Sequence, residues 1–152
     1  MRLTLHTDYG FRLLVYLGIH DGRLVSAREV AEAYGIPHNH LTKIIPVLVA
    51  GGFMESVRGR GGGLRLAQKP EAINMGLVGR ALQVNAGLLP CLKCTVRLEA
   101  KKQFCPLAGP CALAHMLDEA TEAFMAVLGR RTLADMMGRA EHRILKPALG
   151  AS

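Results

Sequence analysis

Ser26-Ala-Arg-Glu-Val-Ala-Glu-Ala-Tyr34, Gly35-Ile-Pro37 and His38-Asn-His-Leu-Thr-Lys-Ile-Ile-Pro-Val-Leu-Val-Ala50 follow one another without a break, and their reading decides the fold. Ser26 and Glu29 have capping-box spacing, in which a hydroxyl and a carboxylate satisfy opposite ends of a first helical turn. They open a short helix from Ala27 to Tyr34, with Val30, Ala31 and Tyr34 facing inward. Gly35-Ile36-Pro37 makes a tight break, and a second helix runs from about His38 to Ala50. Two short helices joined by a three-residue turn containing glycine form a helix-turn-helix pattern. Such a pair also occurs as plain helix packing, so its neighbours decide.

Downstream, Phe53-Met-Glu-Ser-Val57 and Gly63-Leu-Arg-Leu-Ala67 are strand-like runs on either side of Arg58-Gly-Arg-Gly-Gly-Gly63. This is a β-hairpin wing carrying Arg58, Arg60 and Arg65, whose glycines permit a tight turn close to a phosphate backbone. The run lacks the terminal Gly-Lys-Ser/Thr of a P-loop and lies in a hairpin, so it is not a nucleotide-binding loop. Upstream, Tyr9, Leu13, Tyr16 and Leu17 share one face of a helix over residues 6–19, with Thr7 or Asp8 as its cap. Asp21-Gly22 ends that segment as a turn. Pro70 closes the wing, and Asn74 caps a short helix to about Gln83 with Met75, Val78 and Leu82 inward.

All four cysteines fall between positions 91 and 111: Cys91-Leu-Lys-Cys94, ten residues, then Cys105-Pro-Leu-Ala-Gly-Pro-Cys111. Thiolates are soft ligands, and a cluster of them on a Pro/Gly-rich loop suits zinc or an iron–sulfur cluster. Met1-Arg-Leu-Thr-Leu-His-Thr-Asp8 lacks an apolar signal region, which points to a reducing cytoplasm rather than to disulfides. Beyond the loop, residues 112–128 form the most periodic segment, with Leu113, Met116, Leu117, Ala120, Phe124, Val127 and Leu128 in one stripe opposite Asp118, Glu119 and Glu122. A stripe placed after a complete winged-helix unit is a candidate subunit interface.

The 152 residues carry a net charge of +7, half of them are hydrophobic, and seven are aromatic (three Tyr, four Phe). The basic balance suits a polyanionic partner. Scarce aromatics argue against a base-stacking single-strand platform, and no apolar run is long enough to span a membrane. With no HExxH, no Ser/His/Asp spacing and no cofactor loop, the sequence is not that of an enzyme. The expected fold is mainly α with a small β-hairpin: a winged helix-turn-helix domain over 1–84, a cysteine-rich loop over 85–111, a dimerisation helix within 112–138 and a flexible basic tail over 139–152.

These motifs converge on a known family. The chain resembles the winged-helix iron–sulfur transcription regulators from Met1 to about Leu128. Its carriers are Thr7-Asp8-Tyr9, Ser26-Ala-Arg-Glu-Val-Ala31, Leu41-Thr-Lys-Ile-Ile45, Ser56-Val-Arg-Gly-Arg-Gly-Gly-Gly63 and the cysteine loop. Within the family it looks most like the nitric-oxide-sensing repressors. That resemblance implies Cys91, Cys105 and Cys111 as cluster ligands, with Asp8 of the partner subunit as the fourth. The cluster-assembly regulators instead use a His three residues after the last cysteine, a position held here by Ala114, with His115 one later. Two features depart from the pattern. The gap from Cys91 to Cys105 is longer and contains Cys94, an alternative ligand, and Pro46 lies inside the recognition helix, where it removes a backbone bond.

The resemblance implies a cytoplasmic homodimeric repressor binding double-stranded DNA at a roughly palindromic operator. Its iron–sulfur cluster is expected in the 4Fe–4S form, with a 2Fe–2S form after oxygen exposure, and nitric oxide as the signal. His38, Asn39, His40, Thr42 and Lys43 would enter the major groove, while Arg28, Arg58, Arg60 and Arg65 hold phosphates or the adjacent minor groove. The alternative is a winged-helix regulator of redox stress or iron–sulfur supply that uses zinc or a Cys91/Cys94 dithiol.

Overall fold

The computed structural model describes residues 3–82 and 111–145. Helix α1 (Leu5–Ile19) begins one residue earlier than its periodicity suggests and is capped by Thr4, whose hydroxyl accepts the Thr7 amide at 3.2 Å. Neither Thr7 nor Asp8 is the cap. Thr7 is wholly buried and its hydroxyl donates to the Leu82 carbonyl at 3.3 Å. A side chain that faces the core cannot also close the open end of its helix, so the role passes to the last residue before it.

Helices α2 (Ala27–Tyr34) and α3 (His38–Ala50) have the expected limits. The Ser26 hydroxyl accepts the Glu29 amide at 3.1 Å, and Gly35 ends α2 in the left-handed region at φ 63°. Only half of the capping box forms. The Glu29 carboxylate turns away from Ser26 to accept the Tyr16 hydroxyl and two Arg23 nitrogens, locking α1 to the start of α2. Charge-assisted bonds from a guanidinium outweigh one neutral amide. α3 runs through Pro46 and buries Leu41, Ile44 and Leu48 against Leu13, Leu14 and Leu17 of α1.

Strands β1 (Met54–Val57) and β2 (Gly63–Leu66) pair antiparallel, with Met54 opposite Leu66 and Val57 opposite Gly63. Val25 adds a third, single-residue rung: its amide donates to Leu64 at 3.0 Å and its carbonyl accepts from Leu64 at 2.8 Å. Gly63 is needed there, because a Cβ would lie 2.9 Å from the Val25 carbonyl. Helix α4 (Met75–Ala81) is capped by Asn74 as expected, with Met75, Val78 and Leu82 buried. Asn74 does more than cap: its amide nitrogen also donates to the Gly129 carbonyl, at 2.7 Å, near the end of helix α5 (Ala112–Gly129).

The chain after α5 departs from the expected division. Arg131 to Leu133 run beside Ile73 to Met75, with Met75 donating to Arg131 and Leu133 to Ile73, both at 2.9 Å. Leu133 opens a 3-10 turn (Leu133–Met136) closed by a Thr132/Asp135 capping box, and it is wholly buried in the same core as Leu13 and Leu48. The winged-helix core therefore does not close at residue 84. Nor is the segment from Arg139 a loose tail throughout, since Arg139–Leu145 forms helix α6 with Leu145 against the core. Glu141 in its first turn and Arg143 in its last complement the helix dipole. Residues 146–152 lie outside the described region.

Candidate functional site

One face of α3 is buried and the other is open. Opposite Leu41, Ile44 and Leu48 the helix exposes Asn39, Thr42, Lys43, Pro46, Val49 and Ala50. His38 is exposed at the start of the helix. His40 sits on the flank, its ring edge-on to Tyr9 of α1 at 5.5 Å between centroids. The Thr42 hydroxyl donates to the Asn39 carbonyl at 2.9 Å, so its donor is spent inside the helix. The first two turns thus offer a cationic Lys43, an amide on Asn39 and two imidazoles, which is donor-rich chemistry suited to base edges and phosphates.

Of the four arginines expected to flank this helix, two are engaged. Arg28 lies 2.9 Å from Glu32 one turn on, and Arg65 lies 2.7 Å from Glu55, its partner across the hairpin. Both pairs are exposed and weak enough to be exchanged for phosphate. Arg58 and Arg60 stand in the exposed hairpin turn, where Gly59 (φ 106°) and Gly61 (φ 82°) bend the chain sharply. Among the described residues neither has an acidic partner.

The expected ligands divide. Cys91, Cys94 and Cys105 lie outside the described residues. Cys111 is half-buried at the N-terminus of α5, with a free thiol that makes no capping bond. Asp8 is half-exposed in the first turn of α1, and Arg12 Nε lies 3.0 Å from both of its carboxylate oxygens. The same guanidinium stands 5.7 Å from the centre of the Tyr34 ring, whose burial pushes the phenol up to about 12. Sequence reading passed over Arg12, although its spacing of four from Asp8 is that of a helical ion pair. It also missed the lock between Tyr16, Arg23 and Glu29. Arg23 holds the Glu29 carboxyl below its ordinary range, while burial raises the Tyr16 phenol.

Comparison with known proteins agrees with this geometry. The profile of the Rrf2 family, described as iron-dependent transcriptional regulator, matches residues 3–139. The HTH-type transcriptional regulator NsrR of Bacillus subtilis is 39% identical over 142 residues, covering 93% of each chain. NsrR of Halalkalibacterium halodurans is 39% identical over 138 residues, covering 90% of each. Among solved structures, T. potens IscR superposes with a TM-score of 0.67 at 27% identity over 100% of this chain and 93% of its own. CymR of B. subtilis gives a TM-score of 0.67 at 21% identity over 90% and 96%, a likeness of fold alone. Helix-turn-helix, wing and matching length together settle the assignment: the chain belongs to the Rrf2 family of transcriptional regulators, and is not an enzyme.

Proposed function

We propose that this regulator is a dimeric repressor whose affinity for a roughly palindromic operator is set by an iron–sulfur cluster and lowered by nitric oxide. Cys91, Cys105 and Cys111 of one subunit would hold the cluster with Asp8 of the partner subunit, and Cys94 is the alternative ligand. The described residues fit that role. The Cys111 thiol is free, and the Asp8 carboxylate is neither a helix cap nor buried. The NsrR relatives favour the same reading. Such a cluster would supply iron open to a small diatomic ligand, and a carboxylate would hold it less firmly than thiolate does.

The observation that carries the mechanism is where Asp8 sits. It lies beside Tyr9, which touches His40 of α3, and its carboxylate is shared with Arg12, which lies over Tyr34 of α2. Asp8 engaged as a ligand would give up Arg12, and Asp8 released would take it back. Either exchange would act on α1 at its contacts with both helices of the DNA-reading pair, which would couple ligation to operator affinity through one helix. The Asp8–Arg12 pair is exposed at 37% and 48%, so it offers little resistance to that exchange.

Iron, sulfide and zinc content of protein purified without oxygen tests this directly. Stoichiometric iron and sulfide, loss of DNA binding on nitric oxide addition, and weakened cluster retention in Asp8→Ala are expected. A colourless protein carrying zinc, or one that takes up no iron on reconstitution, would replace the cluster by the zinc or dithiol reading.

A further inference from the structure

The exposed face of α3 changes character along its length. Its first two turns are polar, with Asn39 and Lys43, whereas its second half presents Pro46, Val49 (37% exposed) and Ala50 to solvent. Proline inside a helix lacks the amide that the Thr42 carbonyl would otherwise accept, and its ring crowds the preceding turn. Pro46 recovers none of that cost by core packing, because it lies directly opposite Leu41, Ile44 and Leu48. Thr42, one turn earlier on the same face, has turned its hydroxyl into the helix, donating to Asn39 at 2.9 Å. With its donor spent, Thr42 leaves its methyl as the group it offers on the exposed face that it shares with Pro46, one turn further on. The two make an apolar ridge with Asn39 and Lys43 beside it.

We propose that Thr42 and Pro46 form an apolar reader for the C5-methyl groups of thymines in the operator's major groove, making Pro46 a specificity-determining residue. The inference rests on α3 being the groove helix. Among the four bases only thymine displays a methyl at the major-groove edge, and threonine methyls and other apolar groups are its usual partners. A proline ring offers the same surface with no amide to misplace. Continuity with the polar readers fixes the occupant as DNA: Asn39 and Lys43 share this face, and the wing arginines Arg58 and Arg60, without an acidic partner among the described residues, stand exposed for the adjacent backbone. One buried methyl is worth about fourfold in affinity.

The test uses full-length protein purified without oxygen and a duplex that the wild type selects from a random-sequence library. Each thymine of one half-site is replaced in turn by deoxyuridine, which deletes the methyl and leaves every hydrogen-bonding group in place. Affinities are measured for the wild type and for Pro46→Ala, whose melting temperature should be unchanged or higher. At one thymine or more, methyl deletion should cost the wild type about fourfold and cost Pro46→Ala measurably less. Equal losses in both proteins at every thymine would overturn the inference. Lys43→Ala separates that failure from a failure of the underlying reading: undiminished affinity in this variant would take α3 out of the groove and remove both.

Discussion

At the scale of single residues, Glu29 carries the junction between α1 and α2. Its Oε1 accepts the Tyr16 hydroxyl at 3.0 Å together with Arg23 Nη2, and its Oε2 accepts Arg23 Nη1 at 3.1 Å. The Arg23 hydrogen bonds are the main cause of its carboxyl lying below the ordinary value of 4.5. A carboxyl depressed in the folded state binds its proton more readily once unfolded. Its contribution to stability is therefore full above 4.5 and is lost as pH falls through the lower folded value. Glu29→Gln should lower stability near neutrality and flatten this part of the acid limb, read as urea midpoints at several pH values. A variant with the same acid slope as the wild type would show that the lock adds nothing. Asn74 is the second such residue, since one side chain caps α4 through Gly76 and Leu77 and holds the Gly129 carbonyl near the end of α5. Removing a cap costs about 1 kcal/mol, and the bond to Gly129 adds to that, so Asn74→Ala should lose about 2 kcal/mol in denaturant unfolding.

Elements were legible where their signals are local. The limits of α2 follow from Ser26 and Gly35, and the start of α4 follows from Asn74, with Met75, Val78 and Leu82 marking its buried face. What escaped was long-range: the Val25 rung on β2, and the return of Arg131 to Leu133 beside Ile73. A single extended residue has no periodicity to detect, and its partner lies tens of residues away. The site was legible to a similar degree. Asn39, Thr42 and Lys43 are on the open face because their spacing puts them there, whereas the engagement of Arg65 by Glu55 depends on hairpin register. Pro46 is the element-scale anomaly, a helix breaker inside a helix that continues for four more residues. Pro46→Ala restores an amide to the turn and removes the ring, so α3 and the domain should gain about 1–3 kcal/mol. Urea unfolding checks this, and an unchanged midpoint would mean that the tertiary packing of Ile44 and Leu48 already absorbs the cost.

At the scale of the whole molecule, α5 carries an apolar face that the other described residues leave exposed. Met125 is its one fully buried residue, against the α4 side, while Leu113, Met116 and Val127 are 52%, 58% and 54% exposed and share a face with Ala120 and Ala123. Asp118 and Glu122 lie on other faces, so charge does not interrupt the stripe. Leaving such a helix face in water forfeits about 25 cal/mol per square ångström; in the proposed dimer a second copy of the same helix would cover it, with the two-fold symmetry that a palindromic operator requires. Met116→Glu places a charge at the middle of this face without touching the winged-helix core, because the native side chain meets solvent within the single chain. The variant should keep its far-ultraviolet spectrum, sediment as a monomer and bind a full operator no better than a half-site. Retention of the wild-type sedimentation coefficient would move the interface elsewhere. The wing is independent of that outcome: Arg58→Ala and Arg60→Ala, each removing one contact per wing, should each weaken binding on all sequences and reduce the salt slope of a two-wing dimer by about 2. In the Met116→Glu monomer, which holds one wing instead of two, the effect of each arginine substitution on the slope should be half of that in the dimer.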